Sequence, residues 1–304
     1  MRNAPDSERA PAGLFVGLAT LDVVHRITEA PAVNEKVTAT AQFVAAGGPA
    51  ANAAVTFAAL GGRATLLTAL GDGDVADLIR ADLSRHHVDV VDAAAGVERA
   101  VPVSAVSVLE STGERSVVSL DAVHSDAEPP AGLADLVAAA DVMLVDGHHP
   151  MLARAAVRTT EARSVPFVVD AGRWKPVMAD VLPHATDVVC SADFRLPNAE
   201  TSASTATALV DGGVATVVIT HGGDPVEWWS GGRCGTVPVP AVDAVDTLGA
   251  GDAFHGAYCF HAADPGGDVA DRIDRAARVA ALRCSRVGPR AWLDELPNPR
   301  RRAR

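Results

Sequence analysis

From Gly13 onward the chain alternates short β-branched runs with alanine-rich stretches of helical period, and that rhythm leaves few folds open. Residues 14–17, 64–70, 88–92, 142–146, 167–170, 187–190 and 216–220 are apolar runs bounded by Gly, Pro or Asp, the pattern of strands covered on both faces. Between them, 49–60, 74–85, 132–139, 151–163, 202–211, 252–262 and 268–283 read as helices. Strand then helix, repeated, predicts a three-layer α/β fold around a parallel-rich sheet. At 304 residues and 48% apolar, the chain can bury a large core.

Two segments break the rhythm. Residues 101–110 and 114–120 flank a Ser111-Thr112-Gly113 turn and predict an antiparallel hairpin. The alternation of Val101, Val103 and Ala105 against Pro102 and Ser104 predicts one solvated face. Residues 33–44, after an Asn34-Glu35 turn, have similar strand character, so both are read as a small β-layer over the edge of the main sheet. Residues 226–239 read as a further hairpin turning at Gly231-Gly232. The polar 1–12 and basic 298–304 segments are expected to be disordered tails around one domain, 13–297.

Charge and motif searches remove several functions. Lys plus Arg total 26 against 38 Asp plus Glu, a net charge of −12, which disfavours nucleic acid and anionic lipid as partners. No apolar run approaches the roughly 20 residues of a bilayer span, and 1–12 lacks the apolar core of a secretory signal. Cys190, Cys234, Cys259 and Cys284 form no C-x-x-C pair, so a zinc knuckle is unsupported and a reducing cytoplasm is expected. Neither H-E-x-x-H nor G-x-S-x-G occurs, and the only lysines, Lys36 and Lys175, do not follow glycine. A nucleotide would therefore need a cradle other than a Walker loop.

The stretch Asp246-Thr247-Leu248-Gly249-Ala250-Gly251-Asp252-Ala253-Phe254 offers one. Gly249, Ala250 and Gly251 leave bare amides at a helix N-terminus, where the macrodipole favours an anion. Asp252 in the first turn reads either as a cap or as a general base that takes a proton from an attacking hydroxyl. Gly47-Gly48-Pro49-Ala50-Ala51-Asn52 opens another helix; its glycines permit close approach of a ligand, or a tight turn alone. Asp22, after the first strand, is either a hydroxyl acceptor or a turn cap.

These residues resemble the ribokinase-like carbohydrate kinases, the phosphofructokinase-B family. The family's D-T-x-G-A-G-D-x-F signature matches at every fixed position from Asp246 to Phe254, and its Gly-Gly…Asn signature matches Gly47, Gly48 and Asn52. The resemblance implies ATP-dependent phosphorylation of a sugar hydroxyl, with Asp252 as catalytic base and Gly249, Ala250 and Gly251 holding the transferring phosphoryl group. It places Asp22, Gly47, Gly48 and Asn52 on the sugar, and Ser191, Thr220, Gly222, Gly249 and Gly251 at ATP. It implies Mg²⁺ with the nucleotide, K⁺ at Asp246 and the Leu248 carbonyl in some members, and a homodimer through the β-lid. A nucleoside acceptor, or a sensor without catalysis, are the alternatives.

The chain also departs from the family. Pro225 stands where a second glycine is common, and Ser191-Ala192-Asp193-Phe194 replaces the usual N-x-x-E. The Ser191 replacement, the 254–256 continuation and residues 281–288 look closest to the ketohexokinase and sulfofructose-kinase branch, which favours a ketose acceptor. Gly71-Asp72-Gly73-Asp74 superficially matches a dinucleotide fingerprint, but its two carboxylates would repel a pyrophosphate. His148-His149, after a strand end, reads as a solvated loop pair or as a pair facing the cleft, one of Trp228 and Trp229 as core, and Arg173 and Arg115 as surface cations or anion contacts.

Overall fold

The computed structural model describes residues 9–122, 126–160, 165–264 and 266–297. The first part of the chain runs β1 (Ala12–Val16), β2 (Thr20–Ile27), β3 (Ala41–Gly47), α1 (Pro49–Ala59), β4 (Arg63–Thr68), α2 (Asp74–Arg85) and β5 (Val88–Asp92). Next come β6 (Val103–Leu109), β7 (Arg115–Val118), α3 (Leu133–Ala138), β8 (Val142–Val145), α4 (Pro150–Thr160) and β9 (Phe167–Ala171). The last part holds α5 (Met178–Val181), β10 (Asp187–Ser191), α6 (Ser202–Asp211), β11 (Thr216–His221), β12 (Asp224–Ser230), β13 (Arg233–Val237), α7 (Ala250–Ala262) and α8 (Val269–Cys284). The expected disorder of 1–8 and 298–304, and the end of the helix expected over 151–163, lie outside the described residues.

Among the described residues the main sheet has the order β13-β12-β11-β10-β9-β8-β1-β4-β5. It is parallel from β5 to β11, while β12 and β13 add an antiparallel hairpin at one edge. Alternate side chains feed two cores: Phe15, Leu66, Val168 and Val218 pack with α1, α2, α7 and α8. Leu14, Leu67, Val169 and Val217 pack with α3, α4, α5 and α6. The strands are apolar on both faces because both faces are covered, which gives the expected three layers. Trp228 enters the first core and Trp229 packs against the second, so both serve as core.

A second sheet, β3-β2-β6-β7, forms the lid. Here the expectations need correction. Strand β2 carries Asp22 within it rather than in a loop after β1, and of 33–44 only the part from Ala41 is strand. Polar residues occupy both faces of Thr20-Leu21-Asp22-Val23-Val24-His25-Arg26-Ile27, which hides its period of two. The hairpin at 101–120 is present as β6 and β7, with one solvated face as the alternation predicts. Ser104, Val106 and Val108 are buried inward, while Val103 and Ala105 face out. Ala12 opens β1 and its N–H donates to Asp141 Oδ2, so order begins before Gly13.

Chain order reverses between β1 and β8, the adjacent strands from which the connections depart in opposite directions. Such a switch point opens a crevice at the strands' carboxyl ends. Asp146 fills its floor. Its Oδ2 accepts the N–H groups of Leu18 and Ala50, and its Oδ1 accepts that of His148. A Cβ on Gly17 would stand 2.1 Å from this carboxylate, which is why the position is glycine. His149 is buried here and His148 half-buried, against the expectation of a solvated pair, and burial pulls the His149 pKa down to about 4.

Candidate active site

Helix α7 begins on a left-handed residue, Gly249 (φ 70°), which turns the chain from the 245–248 loop into the helix. The Ala250 amide reaches the Thr247 carbonyl at 3.3 Å, and the first i−4 bond runs from Ala253 to Gly249. The Gly251 and Asp252 amides lie between those two bonds. A Cβ on Gly251 would meet nothing within 4 Å, so open space faces this turn. The geometry suits an anion held by amides at the positive end of a 13-residue helix.

Asp252 stands in that first turn. Its Oδ2 accepts the Asn52 Nδ2–H at 2.8 Å. Burial, and next the charge of Asp170, push its pKa above the usual carboxylate value, while Asn52, His255 and Arg115 pull the other way. Asp170 lies beneath it with its Oδ2 3.5 Å from His255 Nδ1. A carboxylate with raised basicity at the mouth of an anion cradle is equipped to take a proton.

Asn52 comes to Asp252 because α1 and α7 pack almost backbone to backbone. Ala50, Ala53 and Ala54 are fully buried, and a Cβ on Gly256 would lie 2.3 Å from the Ala53 carbonyl. Small residues on both helices thus set the separation at which an Asn and an Asp one turn earlier can touch. The far side of the carboxamide is fixed as well: Arg290 Nη1–H donates to Asn52 Oδ1 at 3.1 Å. Arg290 in turn donates to Asp82 Oδ2 and to the Ala46 carbonyl. A chain of contacts from Asp82 through Arg290 and Asn52 therefore orients the Asp252 carboxylate.

Asp22 projects from the inner face of the lid. Thr20 Oγ1–H donates to it at 2.6 Å, and burial raises its pKa. Gly47, paired across β2–β3 to Thr20, has no room for a side chain, since a Cβ would sit 2.0 Å from the Asp22 carboxylate. Gly48 (φ 96°) precedes Pro49 at the start of α1, and its own Cβ would strike the Leu18 carbonyl at 2.4 Å. Both glycines are thus fitted to the chain's own groups. Asp22, Asn52, Leu248, Gly249, Arg283 and Arg290 share a cavity of about 20 Å³, room for roughly one water. A larger one, about 330 Å³, opens at the lid root between Leu18, Arg99, Pro102, Asp121 and His149.

The lid rests on the anion loop. Arg26 Nη1–H donates to the Val245 carbonyl, Arg115 Nη1–H to Thr247 Oγ1, and the Thr247 N–H to the Gly113 carbonyl. Arg115 is exposed and reaches the loop through its contact with Thr247. Arg173 forms an exposed ion pair with Asp121 at 2.6 Å.

Ser191 and Thr220 are cross-strand partners at the ends of β10 and β11. Their hydroxyls donate to the Gly172 and Cys190 carbonyls. The β11–β12 register shifts between Ile219 and His221, and Gly222 (φ 64°) turns the chain with open space around it. Pro225 lies inside β12, near its start. Phe194 is buried against Trp174, so the altered N-x-x-E strand offers no carboxylate at that position. Among the described residues no group of three or more His, Cys, Asp or Glu could hold a metal. The described residues thus supply no such cluster for Mg²⁺, an ion that commonly binds through substrate phosphates and water. Asp246, expected beside a monovalent cation, is instead paired with buried Arg283.

Arg290, Asp82, Asp146 and Arg283 escaped the sequence reading. Each is remote in sequence from the group it serves, and no local pattern marks it.

The parallel sheet with a β-lid, a left-handed glycine opening α7 and an aspartate in its first turn define a phosphotransferase acting on an alcohol group. Residues 14–296 match the pfkB family carbohydrate kinase model, and the chain belongs to that family. It is similar to ribokinase of Bacillus subtilis (strain 168), 26% identical over 275 residues covering 88% of this chain and 90% of the relative. Among solved structures, a candidate ribokinase from Agrobacterium tumefaciens aligns with a TM-score of 0.82 and 27% identity over 94% of this chain and 96% of its own. Ribokinase of Arabidopsis thaliana, solved with ribose and ATP, shares the fold at a TM-score of 0.76 and 20% identity, covering 95% and 96%.

Proposed function

We propose that this carbohydrate kinase transfers the γ-phosphoryl group of ATP to a hydroxyl of a small sugar, with Asp252 as the base. The observation that carries the reading is the Asp252 carboxylate, held by Asn52 in the same helical turn as Gly251, which faces open space. The acceptor hydroxyl gives its proton to Asp252 as its oxygen attacks phosphorus. The new P–O bond forms in line as the bond to the β-phosphate oxygen breaks, and ADP leaves. Gly249, Ala250 and Gly251 cradle the migrating group, while Ser191, Thr220 and Gly222 border the nucleotide. Mg²⁺, when it enters with ATP, neutralises phosphate charge. Asp22, Gly47, Gly48 and Asn52 shape the acceptor side, and the cavity at the lid root leaves space for a sugar or sugar derivative.

Ribose heads the acceptors because ribokinases stand among the relatives matched along most of the chain, beside a ribose-1-phosphate kinase and deoxyribokinases. A ketose acceptor is supported only by Ser191 and the 254–256 and 281–288 stretches. With Ala12 opening β1, the domain is read as 12–297, and no described helix is long and apolar enough to cross a membrane. The outer lid face carries an apolar cross-strand row of Val44, Val23, Ala105 and Val118. Val44 is 52% and Val118 76% exposed, which suits a homodimer through the lid. Coupled ADP release over ribose, ketoses and nucleosides tests the function. Turnover of a sugar supports it, turnover of nucleosides alone replaces the acceptor, and ATP-induced thermal stabilisation with no ADP release from any acceptor favours a sensor.

A further inference from the structure

Just ahead of the anion cradle, the Asp246 carboxylate, its own carbonyl and the Arg286 carbonyl converge on one buried point. Arg283, 2% exposed, fills that point. Its Nη1 donates to the Arg286 carbonyl at 3.0 Å and to the Asp246 carbonyl at 3.3 Å. Its Nη2 lies 3.1 Å from Asp246 Oδ1, an ion pair without an aligned hydrogen bond. The carboxylate's other contacts fix the backbone: Oδ1 accepts the Leu248 N–H and Oδ2 the Gly288 N–H, both at 3.0 Å. The Val245 and Asp246 N–H groups both donate to the Cys284 carbonyl, tying the loop to the end of α8.

A buried carboxylate with two carbonyls is the hard-oxygen donor set that a monovalent cation takes. The guanidinium already uses those oxygens and brings its own positive charge to them. A metal ion seated against the same oxygens would face a fixed positive charge a few ångströms away. The residues present therefore do not fit K⁺ at Asp246.

We propose that Arg283 is a tethered cation in the place of a dissociable one: it neutralises Asp246, holds the 246–249 turn, and so sets the Gly249–Gly251 amides with no monovalent metal. Arg283 is a positioning residue, acting through Asp246 and the turn. Its link to turnover rests on the phosphoryl-transfer reading above, whereas the thermal measurement below does not, so the two can fail separately.

The test compares wild type, Arg283→Ala and Arg283→Lys in potassium, sodium and tetramethylammonium chloride at one ionic strength, and in dilute guanidinium chloride. The wild-type thermal midpoint and kcat are the same in all three salts. Arg283→Ala melts lower, and its kcat falls about tenfold to a hundredfold with KM changed less. Potassium or guanidinium raises its midpoint saturably and restores kcat in parallel. Arg283→Lys, with an ammonium among the same oxygens, keeps both salt indifference and most of kcat. Saturable stabilisation of the wild type by potassium overturns the proposal, as does an Arg283→Ala protein that neither cation rescues. Should Arg283→Ala not fold, the lysine variant decides: salt indifference with kcat kept supports the tethered cation, and a potassium requirement overturns it.

Discussion

The proposed acceptor half and the proposed nucleotide half of the site are built on different principles. Around Asp252 the chain spends buried charge: Asp82, Arg290, Asn52 and Asp252 touch in series, and Asp22 is held by Thr20 under the lid. Around Thr220 and Gly222 it presents strand ends, a register shift and a glycine with open space about it. The difference follows from the tasks. A proton acceptor must be aimed to within fractions of an ångström, whereas a nucleotide with several phosphates brings many contacts of its own. Mutations should therefore be steep on the first side and shallow on the second.

The largest effect is expected at Asp252. Asp252→Asn loses about 10²–10⁴-fold in kcat, while ATP still raises the thermal midpoint. Its stability moves the other way. A carboxyl whose folded pKa is raised contributes favourably below its unfolded pKa and loses that contribution as pH rises through the folded value. At neutral pH the ionised group is a burden, so Asp252→Asn melts at or above wild type in a scanning measurement. For the same reason, the acid limb of the wild-type pH–rate profile lies above the ordinary Asp value of about 3.9. A variant with near-normal rates removes the base from the mechanism and with it the contrast between the halves.

Next comes Arg290→Met, which leaves buried Asp82 with the 3.4 Å contact to exposed Arg85 and the Ala46 N–H, and destabilises by up to about 3–5 kcal/mol in denaturant unfolding. Adding Asp82→Asn removes the stranded charge and recovers much of that stability. Turnover stays low, because the Asn52 carboxamide is no longer held. Recovery of both together would show that Arg290 only supports the fold.

The smallest effect belongs to the nucleotide half. Gly222→Ala meets no neighbour and carries only left-handed strain of about 1–2 kcal/mol. It raises the KM for ATP a few fold with kcat unchanged. A collapse of kcat there would erase the asymmetry.

Much of this was legible in advance. The apolar strands, the covering helices, the 246–254 signature and the lid hairpin each announce themselves within a short window. The lid's second strand did not, since its inner face carries Asp22 and Arg26 where a core strand would show apolar residues. Nor does the alternation in the hairpin say which face is solvated: Ser104 is buried beside Asp22, while Val103 is left outside.

By itself the sequence determined the layered α/β plan, the bare-amide turn at Gly249–Gly251 and the carboxylate that follows it, because periodicity and glycine content act over a few residues. Only the tertiary structure decided that Asn52 orients Asp252, that Arg290 orients Asn52, and that Arg283 occupies the oxygens around Asp246. Those contacts join residues 37 to 238 positions apart. They arise from how closely α1, α7 and the segment after α8 pack, a matter of volume and charge compensation in three dimensions that no local pattern encodes.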